Sequence, residues 1–173
     1  PYQLTFLPDE GDDPKYLRNA LFSFMVNVAF LNLTINPSEQ NYSILVHTSG
    51  KKADHTDDYK QIVKVFEALH DEANSHHESY YKAIWEKAFS KYPDHADEIV
   101  RYIISNCERN NVVVMNSDKE VNAADNRTAT DPTAPFTVVI GGNIVSRGVT
   151  FNNLLSMFFT RDVKHKLQQD TYI

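Results

Sequence analysis

The sequence has a single cysteine, Cys107, so it can close no disulfide within the chain and offers no cysteine cluster for zinc. It has no surplus of positive charge. Seventeen Lys and Arg stand against 23 Asp and Glu, a net charge of -6, which argues against a domain coated in phosphate-binding charge, because such binders carry a broad basic face. No GxxxxGK[ST] loop is present to cradle the phosphates and magnesium of a nucleotide. The start at Pro1 has no initiator Met, basic leader or cleavage-site pattern, and the reading is of a cytoplasmic chain without a signal peptide. Both ends read as cuts from a longer protein. There is no internal repeat and no low-complexity tract. The longest apolar segment, residues 20–35 (ALFSFMVNVAFLNLTI), is interrupted by Ser23, Asn27 and Asn32. It is expected to be a buried helix rather than a membrane span.

What is present is a globular composition, 42% hydrophobic over 173 residues, enough for one domain with a real core. Leu17, Leu21, Phe24, Val28 and Leu31 recur at spacings of three and four, predicting a helix from Pro14 to about Leu33 that ends at Asn36-Pro37-Ser38. A second helix is predicted over 54–72, with Ile62, Val65, Phe66 and Leu69 on one face. Tyr81, Ile84, Trp85, Ala88 and Phe89 form one further stripe, and Ile99, Tyr102, Ile103 and Cys107 another, with Pro93 between them. Four runs lack polar alternation: 42–47 (YSILVH), 112–115 (VVVM), 136–140 (FTVVI) and 154–159 (LLSMFF). Unalternating apolar strands separated by helices predict an α/β fold of three layers, a mostly parallel sheet with helices on both faces. The polar stretch 117–135 is expected to be a loop, 73–110 a helical insertion, and 167–173 the start of a further helix.

In such folds ligands meet the loops beyond the carboxyl ends of the strands. Those ends carry His47-Thr48-Ser49 with Lys51 and Lys52, then Gly141-Gly142 leading to Ser146-Arg147-Gly148, then Thr160-Arg161. Small and hydroxyl residues let backbone amides approach phosphate oxygens, and Arg supplies a forked charged donor. Two readings stand on spacing alone: a phosphate-contacting edge, or tight glycine turns with Arg147 as a solvated charge. The charge balance favours the first, since residues 141–173 hold Arg147, Arg161, Lys164 and Lys166 against Asp162 and Asp170.

IGGNIVSRGVTF, followed by LLSMFFTR and QQDTYI, with ILVHTSGKKADH upstream, resembles the endonuclease-associated Z-one domain attached to superfamily-two helicase ATPases. The resemblance covers the sheet core; residues 72–112 match only as generic helix. It implies the second RecA-like lobe of a helicase-type motor, bacterial, acting on DNA in restriction or phage defence. Residues 44–49 would be the motif IV strand and 146–150 motif V. On that resemblance His47, Thr48, Ser49, Lys51, Ser146, Arg147 and Gly148 would touch the nucleic-acid backbone. Gly141, Gly142 and Thr150 would face ATP, bound with magnesium, although DEAD-box relatives have an acidic residue where Thr150 stands. The implied partners are DNA and a first RecA-like lobe of the same chain. Motif VI would begin just after Asp170-Thr171-Tyr172-Ile173, so the 173 residues alone are expected not to hydrolyse ATP, which needs cradle, metal and arginine finger together.

Three other constellations point to weaker chemistry. His70-Asp71 with His76, His77 and Glu78 has metal-ligating residue types, but it straddles a helix end and reads as solvated histidines. Asp118-Lys119-Glu120 is the one compact set suited to a metal-dependent nuclease, and it lies in a polar loop. The stripe around Trp85 could stack bases, but its sharing of a helical stretch with Ile84 and Ala88 predicts core packing. Two different functional classes are left open: an acidic scaffolding module that recruits a partner through its helical insertion, and a metal-dependent nuclease domain in its own right.

Overall fold

Runs of β-branched and aromatic residues become strands where the sequence predicts them. The computed structural model of the chain describes residues 15–47, 52–115, 130–141 and 150–159. Its strands are β1 (Tyr42–His47), β2 (Asn110–Met115), β3 (Phe136–Gly141) and β4 (Leu154–Phe159). They form one sheet in the order β2-β3-β1-β4, with every pair parallel. Register is fixed by matched apolar residues: Ile44 lies beside Val138, and Val112 beside Val138 on its other side. β3 is buried along its whole length, as the central position and the unbroken FTVVIG run require.

The helix α1 (Lys15–Phe30) precedes β1, and α2 (Lys52–His70), α3 (His77–Lys91) and α4 (Ala96–Asn106) lie between β1 and β2. The sequence places the end of the first helix near Leu33; the regular helix in fact stops at Phe30 and continues as a π-helical turn, Leu31–Ile35. The Asn36 amide donates to Leu31 O at 2.8 Å, an i→i−5 bond that the apolar spacing does not encode. Eight residues of α1 are buried, Phe22, Phe24 and Met25 among them, and Lys15 alone in that helix is exposed. The segment Lys15–Ile35 has the length and apolarity of a membrane span, yet these side chains are spent on the core.

The two faces of the sheet differ. Ile44, Val46, Phe136, Val138 and Ile140 join Phe22 and Phe24 of α1, Ile62 and Leu69 of α2, Ile84 of α3 and Ile99 and Ile103 of α4 in one cluster. Leu45, Val139 and Met115 point to the other face and meet Val113, Phe151 and Leu154. Of the helices expected on both faces, the described ones cover one: α1 to α4 all join the first face, and the further helix expected over 167–173 lies outside the described residues. Apolar periodicity gives a helix a buried side but not the side of the sheet it covers.

The amino-terminal edge of the sheet is held by polar side chains. Asn32 donates to the Tyr102 hydroxyl (3.1 Å) and to Gln40 O (3.0 Å), and its Oδ1 accepts from the Gln40 amide at 2.9 Å. The Tyr102 hydroxyl donates to Glu39 at 3.0 Å, and Arg109 closes the set with an ion pair to Glu39. Asn153, with φ of 51°, donates its side-chain amide to Asn41 O at 3.1 Å; asparagine tolerates that left-handed geometry.

This cluster sets a pH dependence. The Arg109 hydrogen bond to Glu39 lowers the Glu39 carboxyl below its ordinary value, against a smaller opposing effect of burial. A depressed carboxyl stabilises the fold above its unfolded value, and that stabilisation fades as pH falls through the folded value. Burial, aided by the Glu39 charge and partly offset by the Asn32 bond, pushes Tyr102 up to about 12. A raised phenol contributes fully below its ordinary value of 10.0 and is lost as pH rises toward 12. Thermal melting followed across pH is expected to show Tyr102→Phe flattening the alkaline loss and Glu39→Gln flattening the acid loss. Parallel profiles for variant and parent would contradict the assignment.

Candidate nucleic-acid interface

The carboxyl ends of the strands stand in a defined order. β3, β1 and β4 are consecutive in the sheet, so the strand ends at Gly141, His47 and Phe159 stand side by side. Of the predicted contacts, His47, Gly141 and Thr150 lie in described residues. Thr48, Ser49, Lys51, Gly142, Ser146, Arg147 and Gly148 lie outside them, as do Thr160 and Arg161.

His47 ends β1 opposite Phe159 of β4, and the two rings approach to 5.4 Å between centroids at a 39° tilt. Its Nδ1 is buried and has no hydrogen-bond partner. Such an atom is uncommon in a folded protein, because an unsatisfied buried polar group costs roughly 1–3 kcal/mol. Gly141 is buried at the end of β3, in register with Met115. Thr150 is exposed and precedes Phe151, which packs on the second face of the sheet. The described geometry thus brings His47 and Gly141 to one edge, while Thr150 belongs to the return segment toward β4.

The chain leaving β1 enters α2, whose buried side chains belong to the first face. Phe151, which precedes β4, packs on the second face, and residues 142–149 between it and β3 lie outside the described residues. Ligands of parallel α/β sheets meet the carboxyl edge of the strands, and His47 and Gly141 are the two predicted residues described at that edge.

The other candidate clusters separate. His70 Nε2 lies 3.1 Å from Glu108, His77 Nδ1 lies 3.0 Å from Ala68 O, and the His76 ring stacks on Tyr80 at 5.3 Å. With their histidines turned to different partners, the described residues include no group of three or more His, Cys, Asp or Glu able to hold a metal ion. Asp118-Lys119-Glu120 falls outside the described residues.

One expectation is corrected. Ile84 and Ala88 of α3 enter the core, but Tyr81 and Phe89 are 44% and 51% exposed. Trp85 sits half-buried between them in sequence, stacked on Phe89 at 5.1 Å. The one-residue offset from Ile84 to Trp85 turns about 100° around the helix. That offset, legible in the sequence, separates the core row from an outward aromatic row.

A family model, the Z1 domain, matches residues 16–172. The chain belongs to the Z1 domain family. No curated protein and no solved structure matches it. The Z1 match extends through all four strands and through α2, α3 and α4. Residues 72–112, which the quoted motifs left as generic helix, therefore belong to the Z1 domain as well, and so do the adjacent strands β1 and β3.

Proposed function

We propose that this Z1 domain is the second RecA-like lobe of a nucleic-acid-dependent ATPase, gripping the phosphate backbone at the carboxyl edge of its sheet. The observation that carries the reading is the adjacency of the parallel strands β1 and β3, which brings His47 and Gly141 to one carboxyl edge. The two strand ends lead in sequence into His47-Thr48-Ser49 with Lys51 and Gly141-Gly142 with Ser146-Arg147-Gly148. The buried, unpartnered Nδ1 of His47 offers the edge a polar group with unused hydrogen-bonding capacity.

The chemistry follows from the residue types. Phosphate oxygens accept from backbone amides, hydroxyls and a guanidinium fork, so Thr48, Ser49, Ser146 and Arg147 would hold the backbone while Lys51 adds charge. Gly141, Gly142 and Thr150 would border the nucleotide. The described residues make no metal site and the sequence has no phosphate loop, so the phosphate cradle and the ligands for magnesium would come from a facing first lobe. Bound magnesium neutralises charge on the transferring phosphoryl group. This chain's part would be to position nucleic acid and close the cleft, in a cytoplasmic enzyme acting on DNA.

Non-specific backbone binding is expected at dissociation constants of roughly 10⁻⁴–10⁻⁶ M at physiological salt. Fluorescence anisotropy with duplexes of unrelated sequence checks it. Lys51→Glu should weaken all duplexes alike and reduce the slope of log affinity against log salt by about one or more. A loss confined to one sequence, or an unaltered slope, would remove Lys51 from the interface.

A further inference from the structure

The outward face of α3 is unlike the rest of the surface. Tyr81, Trp85 and Phe89 follow one another at intervals of four, so they form a single row along the helix. Tyr81 and Phe89 are 44% and 51% exposed, and the Trp85 and Phe89 rings stack within 9° of parallel. The indole N–H of Trp85 donates to Asp97 Oδ1 at 3.0 Å. That bond ties the ring to the start of α4 and satisfies its polar atom; the half-buried ring packs against the core and on Phe89, and its exposed part carries no free donor. Aromatic residues held rigid and partly exposed are what protein-recognition surfaces concentrate, since they bring large contact area at little entropic cost.

The charges around the row decide what it fits. Glu78 stands one turn before Tyr81, and Asp97 sits against Trp85. Lys82, beside the row, is 3.9 Å from Glu86. Lys91 is turned away, donating to Asn27 at 2.8 Å. Of the histidines nearby, His77 places its Nδ1 3.0 Å from Ala68 O. The row therefore presents aromatic surface bordered by the carboxylates Glu78, Glu86 and Asp97 and by one ammonium, Lys82, so the charge beside it is negative in balance. A single nucleic-acid strand stacks on aromatics only where a positive groove tracks its backbone, and these carboxylates repel phosphate. Arginine or lysine side chains suit both features, packing cations over ring faces and pairing with Glu78.

We propose that the Tyr81-Trp85-Phe89 row is a docking surface for a basic, arginine-bearing amphipathic segment of a partner protein. The surface lies on the helices that follow α2 and not at the carboxyl edge of β1 and β3, so it stands independently of the nucleic-acid reading. Apolar side chains of the partner would lie along Phe89 and Tyr81, and its cations would cover Trp85 and meet Glu78.

The chain carries a single tryptophan, Trp85, so its own fluorescence reports on the proposed surface. The probes are a synthetic helical peptide with a leucine face and an arginine face, its glutamate-for-arginine counterpart, and a single-stranded oligonucleotide. The arginine peptide should change Trp85 emission saturably. Its affinity should fall about tenfold or more in the Tyr81→Ala, Phe89→Ala double variant and also fall in Glu78→Lys, whose site is exposed and outside the core. Thermal melts run alongside establish that each variant is folded. Equal binding of the arginine peptide by folded Glu78→Lys overturns the proposal, as does binding by the glutamate peptide or the oligonucleotide at Trp85. No response from the parent chain to the arginine peptide overturns it too.

Discussion

Phe136→Ala is expected to destabilise the fold by about 3–5 kcal/mol, the cost of removing a large aromatic from a packed core and leaving a cavity. Phe136 opens β3 and has no exposed surface. Its ring meets Phe24 of α1 edge-on at 6.5 Å and Tyr102 of α4 at 6.2 Å. It therefore joins the central strand to two helices that are distant from it in sequence. Its Cα neighbours are Tyr42 and Asn110 on the flanking strands, so no adjacent layer can collapse into the space without moving a strand. Denaturant unfolding should show a lower midpoint with an unchanged slope. A loss under about 1 kcal/mol would mean the site relaxes freely, and the described core would need revision.

The second large effect belongs to the proposed motor reading. In a protein that joins this lobe to a first lobe carrying a phosphate loop, Arg147→Ala should lower nucleic-acid-stimulated ATP hydrolysis about tenfold to a hundredfold. A hydrogen bond to a charged group is worth about 1.5–3 kcal/mol, and each 1.36 kcal/mol is a tenfold change in rate. Basal hydrolysis without nucleic acid should change much less, because on this reading the phosphate cradle and metal would belong to the other lobe. Arg147→Lys should rescue only part of the loss, since an ammonium keeps the charge but not the forked donor geometry. Stimulated activity equal to the parent in a variant that melts normally would take Arg147 out of the interface.

How much was legible depends on what each signal encodes. YSILVH and LLSMFF read as strands because an apolar run too short for a buried helix, bounded by polar residues, has few other uses. Both appear with the predicted bounds. The strand order was not legible, because pairing depends on which faces the connections take. The π-helical turn after Phe30 escaped because it rests on one backbone bond, Asn36 to Leu31. Tyr81 and Phe89 were assigned to the core because spacing alone does not tell a wide stripe from two rows 100° apart. At the candidate site, glycine and hydroxyl residues marked the loops, and the structure added that the β1 and β3 ends are neighbours. The unpartnered Nδ1 of His47 had no signature in sequence at all.

The central claim is that this Z1 domain meets the phosphate backbone at the carboxyl edge between β1 and β3. The most direct test is amide chemical-shift mapping of the 173-residue chain titrated with duplex DNA. Saturable shifts concentrated in residues 47–52 and 141–148 are the predicted result, with the amino-edge cluster around Asn32, Glu39 and Tyr102 undisturbed. Shifts centred on that opposite edge or on α3, or no shifts at DNA concentrations above about 10⁻⁴ M, would contradict it.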